Sequence, residues 1–254
     1  MPFKIAVDDY GLHPQIDTAI RALAHRGIVK KVSVMANRDY APDPLPDHIE
    51  TGLHIDLTTF RSMGGGPLAP SPFQLLRKRD LSIQAVEDRV SAQLNHLTAL
   101  GFRITHLDSH QHVHLISPIL LAIQNVARAH NIRGVRRLTL QFRHGPFYMR
   151  SLLQCGFRLQ MIKLLALYSA GSVTHANMAH WQATPNLILM PLAQSGNYEK
   201  LIHLIWGRFH DRDAELVTHP GLPAHVVDEP YVLGREIEYR ALLDLADKHP
   251  GNLT

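Results

Sequence analysis

The densest chemistry in the sequence lies in Thr105-His106-Leu107-Asp108-Ser109-His110-Gln111-His112-Val113-His114. Five titratable side chains, His106, Asp108, His110, His112 and His114, fall there at every second position. In an extended chain, side chains two apart point the same way, so the spacing predicts one face carrying imidazoles and a carboxylate. That face has little packing value, because each imidazole must be hydrogen-bonded or hydrated. Imidazole nitrogens and carboxylate oxygens together suit Zn2+ and similar divalent ions. A terminal purification tag lacks such intervening apolar and acidic residues.

Three shorter groupings resemble it in kind. Asp8-Asp9 closes the opening apolar run, and Tyr10-Gly11 follows. Adjacent carboxylates repel unless a cation or base compensates. Both can face one site only if the chain leaves strand geometry there, and a glycine permits the necessary turn. His54 and Asp56 lie two apart in Thr51-Gly-Leu-His-Ile-Asp-Leu-Thr58 and are expected on one strand face. His219 ends the apolar run Ala214–Thr218, before the turn-forming Pro220-Gly221. Taken singly, each of these three is also what a helix-capping turn, a satisfied core histidine or a His-Pro turn looks like. Together with the histidine run they put carboxylates and imidazoles at the ends of four strands.

The elements that must position these residues alternate. Strands are expected at Phe3–Val7, Val32–Ala36, Thr51–Leu57, Ile104–Asp108, Val135–Leu138 and Ala214–Thr218. Helix spacing marks Pro14–Arg26, Ile83–Leu100, Ile119–His130, Met149–Tyr168, Tyr198–Phe209 and Arg235–Lys248. Asp39–Asp47 and Arg61–Pro72, rich in proline or glycine, read as loops. Strands alternating with helices predict an α/β chain with a parallel sheet, and the lack of repeats and linkers predicts one domain over residues 1–254. In such sheets ligands bind at the carboxyl ends of the strands.

Composition narrows the function. The chain has 254 residues, 45% of them hydrophobic and 19% charged, as in a globular protein. One cysteine, Cys155, rules out an intramolecular disulfide and a multi-cysteine metal site. A net charge of +4 is small and spread, even with basic runs at Arg77-Lys78-Arg79 and Arg133–Arg143, so no nucleic-acid partner is expected. The apolar stretch around Met161–Gly171 contains Lys163 and falls short of the roughly 18 residues that a membrane span needs. No secretory leader is evident, which predicts a cytoplasmic protein. The 18 histidines are the unusual feature, since imidazole binds metals and moves protons near neutral pH.

The series Asp-Asp-Tyr-Gly-Leu, Gly-Leu-His-Ile-Asp-Leu-Thr, Thr-His-Leu-Asp-Ser-His-Gln-His-Val-His and a late His-Pro-Gly resembles the YdjC-like carbohydrate deacetylases. The resemblance covers residues 4 to about 132 and about 214 to 243, and is looser over Thr139–Arg212. It implies a single-domain, barrel-like β/α fold related to the polysaccharide deacetylases. It implies one divalent cation, Mg2+ or Zn2+, held by Asp9, His54 and His110. Asp8 is then the general base and His219 the general acid, with Asp108, His112, His114 and Arg136 supporting the site or facing substrate. The implied reaction is hydrolysis of the N-acetyl group of an N-acetylated sugar. The Met149–Tyr168 helix suits core packing, an apolar substrate cover or a contact in a homo-oligomer, and Trp181 suits stacking on a sugar. The competing readings are another metal-assisted hydrolase, an amidohydrolase or a phosphoesterase, and a non-catalytic metal-binding relative.

Overall fold

The computed structural model of the protein describes residues 3–59, 61–136, 187–189, 198–223 and 232–249. In chain order these residues form β1 (Lys4–Tyr10), α1 (Pro14–His25), β2 (Val29–Val34), β3 (Glu50–Ile55), α2 (Pro72–Arg77) and α3 (Ile83–Ala99). There follow β4 (Ile104–Ser109), a 3-10 turn (His110–Leu115), α4 (Ser117–Ala129), β5 (Gly134–Val135), β6 (Leu187–Leu189), α5 (Tyr198–Phe209), β7 (Glu215–Thr218) and α6 (Val232–Lys248). The strands make one seven-stranded sheet in the order β5-β4-β3-β2-β1-β7-β6, and every pairing is parallel.

The alternation read from the sequence is therefore the architecture, with shifts at the ends. β1 runs on through Asp8 and Asp9 to Tyr10, and β2 starts three residues earlier than expected and stops at Val34. The short α2 and β6 were not expected: a six-residue helix and a three-residue strand are too short for periodicity to register. The expected helix at Met149–Tyr168 and Trp181 lie outside the described residues.

The two faces of the sheet differ in chemistry. Ile5 and Val7, Val32 and Val34, Leu53 and Ile55, and Leu107 join the apolar sides of the helices in one buried cluster. Each such side chain contributes about 1.5–3 kcal/mol of burial. Alternate positions carry Lys31 and Ser33, Gly52 and His54, His106 and Asp108, then Gly134 and Arg136; Lys31 bonds Glu215 of β7, and the other polar groups bond to one another. Parallel strands buried on both faces usually read as continuous apolar runs. Here one face is apolar and the other is built of paired charges.

That polar face is concave. Arg136, just past β5, reaches Asp8 of β1 at 2.6 Å and Glu215 of β7 at 3.4 Å. In a flat sheet those strands would stand roughly 19 and 24 Å away at ~4.8 Å per strand. The sheet must curl, as in a barrel, for one guanidinium to touch both.

His106 occupies the middle of this concave face, and two glycines make its space. Gly52 of β3 and Gly134 of β5 are its register partners on either side. A Cβ on Gly52 would lie 2.2 Å from His106 Nε2, and one on Gly134 would lie 2.8 Å from His106 Cβ. Gly52→Ala is therefore expected to cost about 1–3 kcal/mol by overpacking. In a His106→Ala background the same substitution should cost close to nothing. Denaturant unfolding of the four proteins of this cycle measures both terms.

Candidate active site

The site stands at the carboxyl ends of the strands and starts from a break in β1. Val7 pairs with Val32 and Tyr10 with Val34, so β1 spends one extra residue over Asp8-Asp9. The excess is absorbed at Asp9, whose φ is 70°, in the left-handed region. A non-glycine residue there costs roughly 1–2 kcal/mol, and aspartate is among the few that visit it. The sequence placed the turn at Gly11, and Gly11 does adopt φ 89°. Asp9 itself, however, makes the reversal that turns two neighbouring carboxylates into one site. Gly11 comes so close to the chain just past β2 that a Cβ would meet Met35 O at 2.6 Å.

Asp9, His54 and His110 converge. Asp9 Oδ1 lies 3.2 Å from His54 Nε2 and 3.1 Å from His110 Nδ1. The other oxygen of Asp9 is held by Arg235 Nη2 at 2.7 Å. His54 Nδ1 meets Asp108 Oδ1 at 2.7 Å, and this turns its Nε2 toward Asp9. A carboxylate bonding the far nitrogen is how ligating histidines are usually oriented. Two imidazole nitrogens and one carboxylate oxygen on a common point fit a divalent cation with open positions.

Asp8 stands beside this triad in a different setting. Both of its oxygens bond Arg136, at 2.6 and 2.9 Å, and it is fully buried. Arg136 also bonds Asp108 at 2.7 Å and reaches Glu215. His219 Nε2 lies 3.9 Å from Asp8 Oδ2. The first turns of α6 hold the chain at His219: its N–H donates to Glu238, and its carbonyl accepts from Arg235.

The charges follow from these contacts. Burial pushes the Asp8 carboxyl up, but Arg136, followed by His54, outweighs it and holds the group far below the ordinary carboxylate range. Burial likewise opposes ionisation of Asp9, and Arg235 with the His110 and His54 hydrogen bonds overcomes it. Burial disfavours a charged His54, yet Asp108 and Asp8 raise its pKa well above the ordinary value.

The expectation that five side chains of the histidine run share one face is not met. β4 ends at Ser109, and Gln111 and His112 both adopt left-handed backbone, with φ 55° and 57°. The run is thereby divided. Asp108 and His110 reach the site, His106 stays inside the sheet, and His114 is buried with Nδ1 2.7 Å from Ser109 Oγ. His112 packs its ring on His114, with centroids 6.0 Å apart. Asp56 lies beyond the end of β3 and accepts from the N–H groups of Thr58 and Thr59, so it secures a turn. Arg136 is buried beneath the site, bonded to its carboxylates.

Sequence reasoning missed Arg235, Glu238, Ser33, Lys31 and Glu215. Their signal was present: charged residues and one serine stand at buried positions of apolar strands and of the first turns of α6. What each one meets is set by the curl of the sheet.

Residues 4–248 match the sequence profile of the YdjC-like protein family. The chain belongs to that family. The match runs through the central stretch where the motif resemblance was loose. Two curated relatives are carbohydrate deacetylases. The one from Vibrio parahaemolyticus is 30% identical over 143 residues, covering 49% of this chain and 55% of the relative. The one from Mus musculus is 29% identical over 151 residues, covering 52% and 49%. The chain thus spans about half the length of the curated relatives it matches. A solved protein of Enterococcus faecalis V583, proposed to act in cellobiose-phosphate cleavage, has the same fold. Its TM-score is 0.63 at 16% identity, over 98% of this chain and 94% of that one.

Two predictions follow from the charges of this YdjC-like site. Arg136→Met leaves Asp8 and Asp108 buried without their counter-ion and is expected to lower stability by about 3–5 kcal/mol, measured by denaturant unfolding. Beneath the Asp9 loop, Asp17 accepts from Gly11 N at 2.7 Å and from Tyr40 Oη at 3.0 Å. Burial raises the Asp17 pKa to about 7 against those hydrogen bonds. Its neutral form stabilises the fold fully below about pH 4, and that contribution is lost as pH rises through about 7. Asp17→Asn should flatten this part of the Tm-against-pH curve.

Proposed function

We propose that the protein is a metal-dependent hydrolase that removes the acetyl group from an N-acetylated sugar. The observation that carries this reading is the convergence of Asp9, His54 and His110 beside the Asp8–His219 pair. Family membership and the relatives named carbohydrate deacetylases support the substrate class. A divalent cation on the triad, Zn2+ or Mg2+, supplies Lewis-acid activation of the amide carbonyl and of water.

The chain's own residues do the rest. Asp8 takes the proton of the attacking water, and Arg136 holds that carboxylate ionised and aimed. His219, protonated, hands a proton to the departing amine, which is otherwise a very poor leaving group. Arg235 keeps one oxygen of Asp9 occupied and presents the other. Asp108 holds His54 in the orientation the triad requires. The triad Asp8, His54 and Asp108 is also compact, but Arg136 already lies on both of its carboxylates. That cation stands where a second metal would be needed, which favours a one-metal amide hydrolase over a two-metal phosphoesterase.

The test is acetate release from a panel of N-acetylated sugars, using protein stripped with chelator and reloaded with single metals. Activity should return with metal. His110→Ala should lose both bound metal and activity. Asp8→Asn should keep the metal and lose activity by at least about 100-fold, the lower range for a lost acid–base group. Loss of the metal in Asp8→Asn would instead make Asp8 a ligand. No acetate from any metal-loaded sample would overturn the deacetylase reading for this panel.

A further inference from the structure

His106 belongs to the histidine run by sequence but not to the site by position, and its surroundings are built for it. It is buried on the concave face, flanked by the glycines at 52 and 134 that leave room for its ring. Its Nε2 lies 3.3 Å from Ser33 Oγ, and its Nδ1 lies 3.1 Å from Thr105 Oγ1. Ser33 Oγ stands 2.6 Å from Asp108 Oδ2, and Asp108 Oδ1 stands 2.7 Å from His54 Nδ1. A chain of side chains therefore links His106, Ser33, Asp108 and His54.

Counting protons gives the direction of the bonds that run from Asp108 through Ser33 to His106. Asp108 Oδ2 accepts from Arg136 Nη1 at 2.7 Å and from the Ser33 hydroxyl. A serine hydroxyl carries one hydrogen, and two oxygens at 2.6 Å need it between them. Ser33 therefore donates to Asp108 and has only lone pairs to offer His106. The proton of that contact must sit on His106 Nε2. Burial, with Lys31 and Arg136 nearby, keeps the imidazole neutral, so Nδ1 carries no proton and faces Thr105 Oγ1, whose single hydroxyl hydrogen also has Thr51 O as an acceptor at 3.0 Å. The same counting at Asp108 Oδ1 puts a proton on His54 Nδ1, so Nε2 is the nitrogen left to bind a cation.

We propose that His106 is a positioning residue for His54: its Nε2–H holds the Ser33 hydroxyl on Asp108, and Asp108 fixes the tautomer that presents His54 Nε2 to the cation. With His106 in the other tautomer, Ser33 would turn its hydrogen away from Asp108. This inference rests on His54 being a metal ligand, as under the proposed function, but not on the identity of the substrate.

The test reads protons and metal rather than turnover. Long-range 1H–15N spectra of the metal-free protein should place the His106 proton on Nε2. Calorimetric titration with Zn2+ should show His106→Leu and Ser33→Ala weakened by about 10–100-fold, the usual effect of removing a group behind a ligand. His106→Gln should stay near wild type, because its amide nitrogen can replace the Nε2–H donor, and general loosening of the core would not be rescued in this way. A proton on Nδ1 in the wild type would overturn the proposal. So would wild-type Zn2+ affinity in a folded His106→Leu or Ser33→Ala protein when His54→Ala has lost binding. If His54→Ala itself binds as wild type, His54 is not a ligand, and both this inference and the metal reading fall.

Discussion

The buried guanidinium of Arg136 is the contact on which the rest of the site depends. It sits just past β5, and it holds Asp8, Asp108 and Glu215 from three other strands. Three carboxylates in one dry interior would repel and take up protons. With Arg136 among them, and Lys31 on Glu215 at 2.7 Å, each has a cationic partner. The pairing also ties β5 to β1 and β7, so the same interaction that settles the charges fastens the curl of the sheet. An ion pair of this kind is weak evidence for stability in itself, because desolvation offsets much of the attraction. Its value here is positional: it sets where two carboxylates stand relative to two imidazoles.

Around that cation the site separates into two settings for nominally identical groups. Asp8 and Asp9 are neighbours in sequence, yet Asp8 gives both oxygens to Arg136 while Asp9 gives one to Arg235 and one to the histidines. The bulge in β1 and the left-handed backbone of Asp9 create this difference. Strain of that order persists where surrounding structure over-determines it. Here Gly11 packed on Met35, Asp17 bonded to Gly11 and the Arg235 pair all hold the loop.

Much was legible because it is local. The apolar runs, the helix spacings and the glycines after the helices gave the order of the described elements apart from the short α2 and β6. The principle that parallel sheets bind at strand carboxyl ends then put Asp8, Asp9, His54, Asp108, His110 and His219 on one rim. The histidine run misled in one respect. A period of two says which side chains share a face only while the strand continues, and β4 stops at Ser109. After that, two left-handed residues decide where each imidazole goes.

The sequence by itself determined the residue types, their spacing, the parallel α/β class and the resemblance to the YdjC-like family. These follow from periodicity and motif, which each short segment carries alone. Only the tertiary structure decided the partnerships. That Arg136 lies on Asp8, that Arg235 takes half of Asp9, and that His106 sits in a slot between two glycines all depend on the curl of the sheet. Those contacts join residues up to 226 positions apart. No local pattern encodes which charge on one strand will meet which on another, because that choice is made by the closure of the sheet and by the cost of leaving any buried charge unpaired.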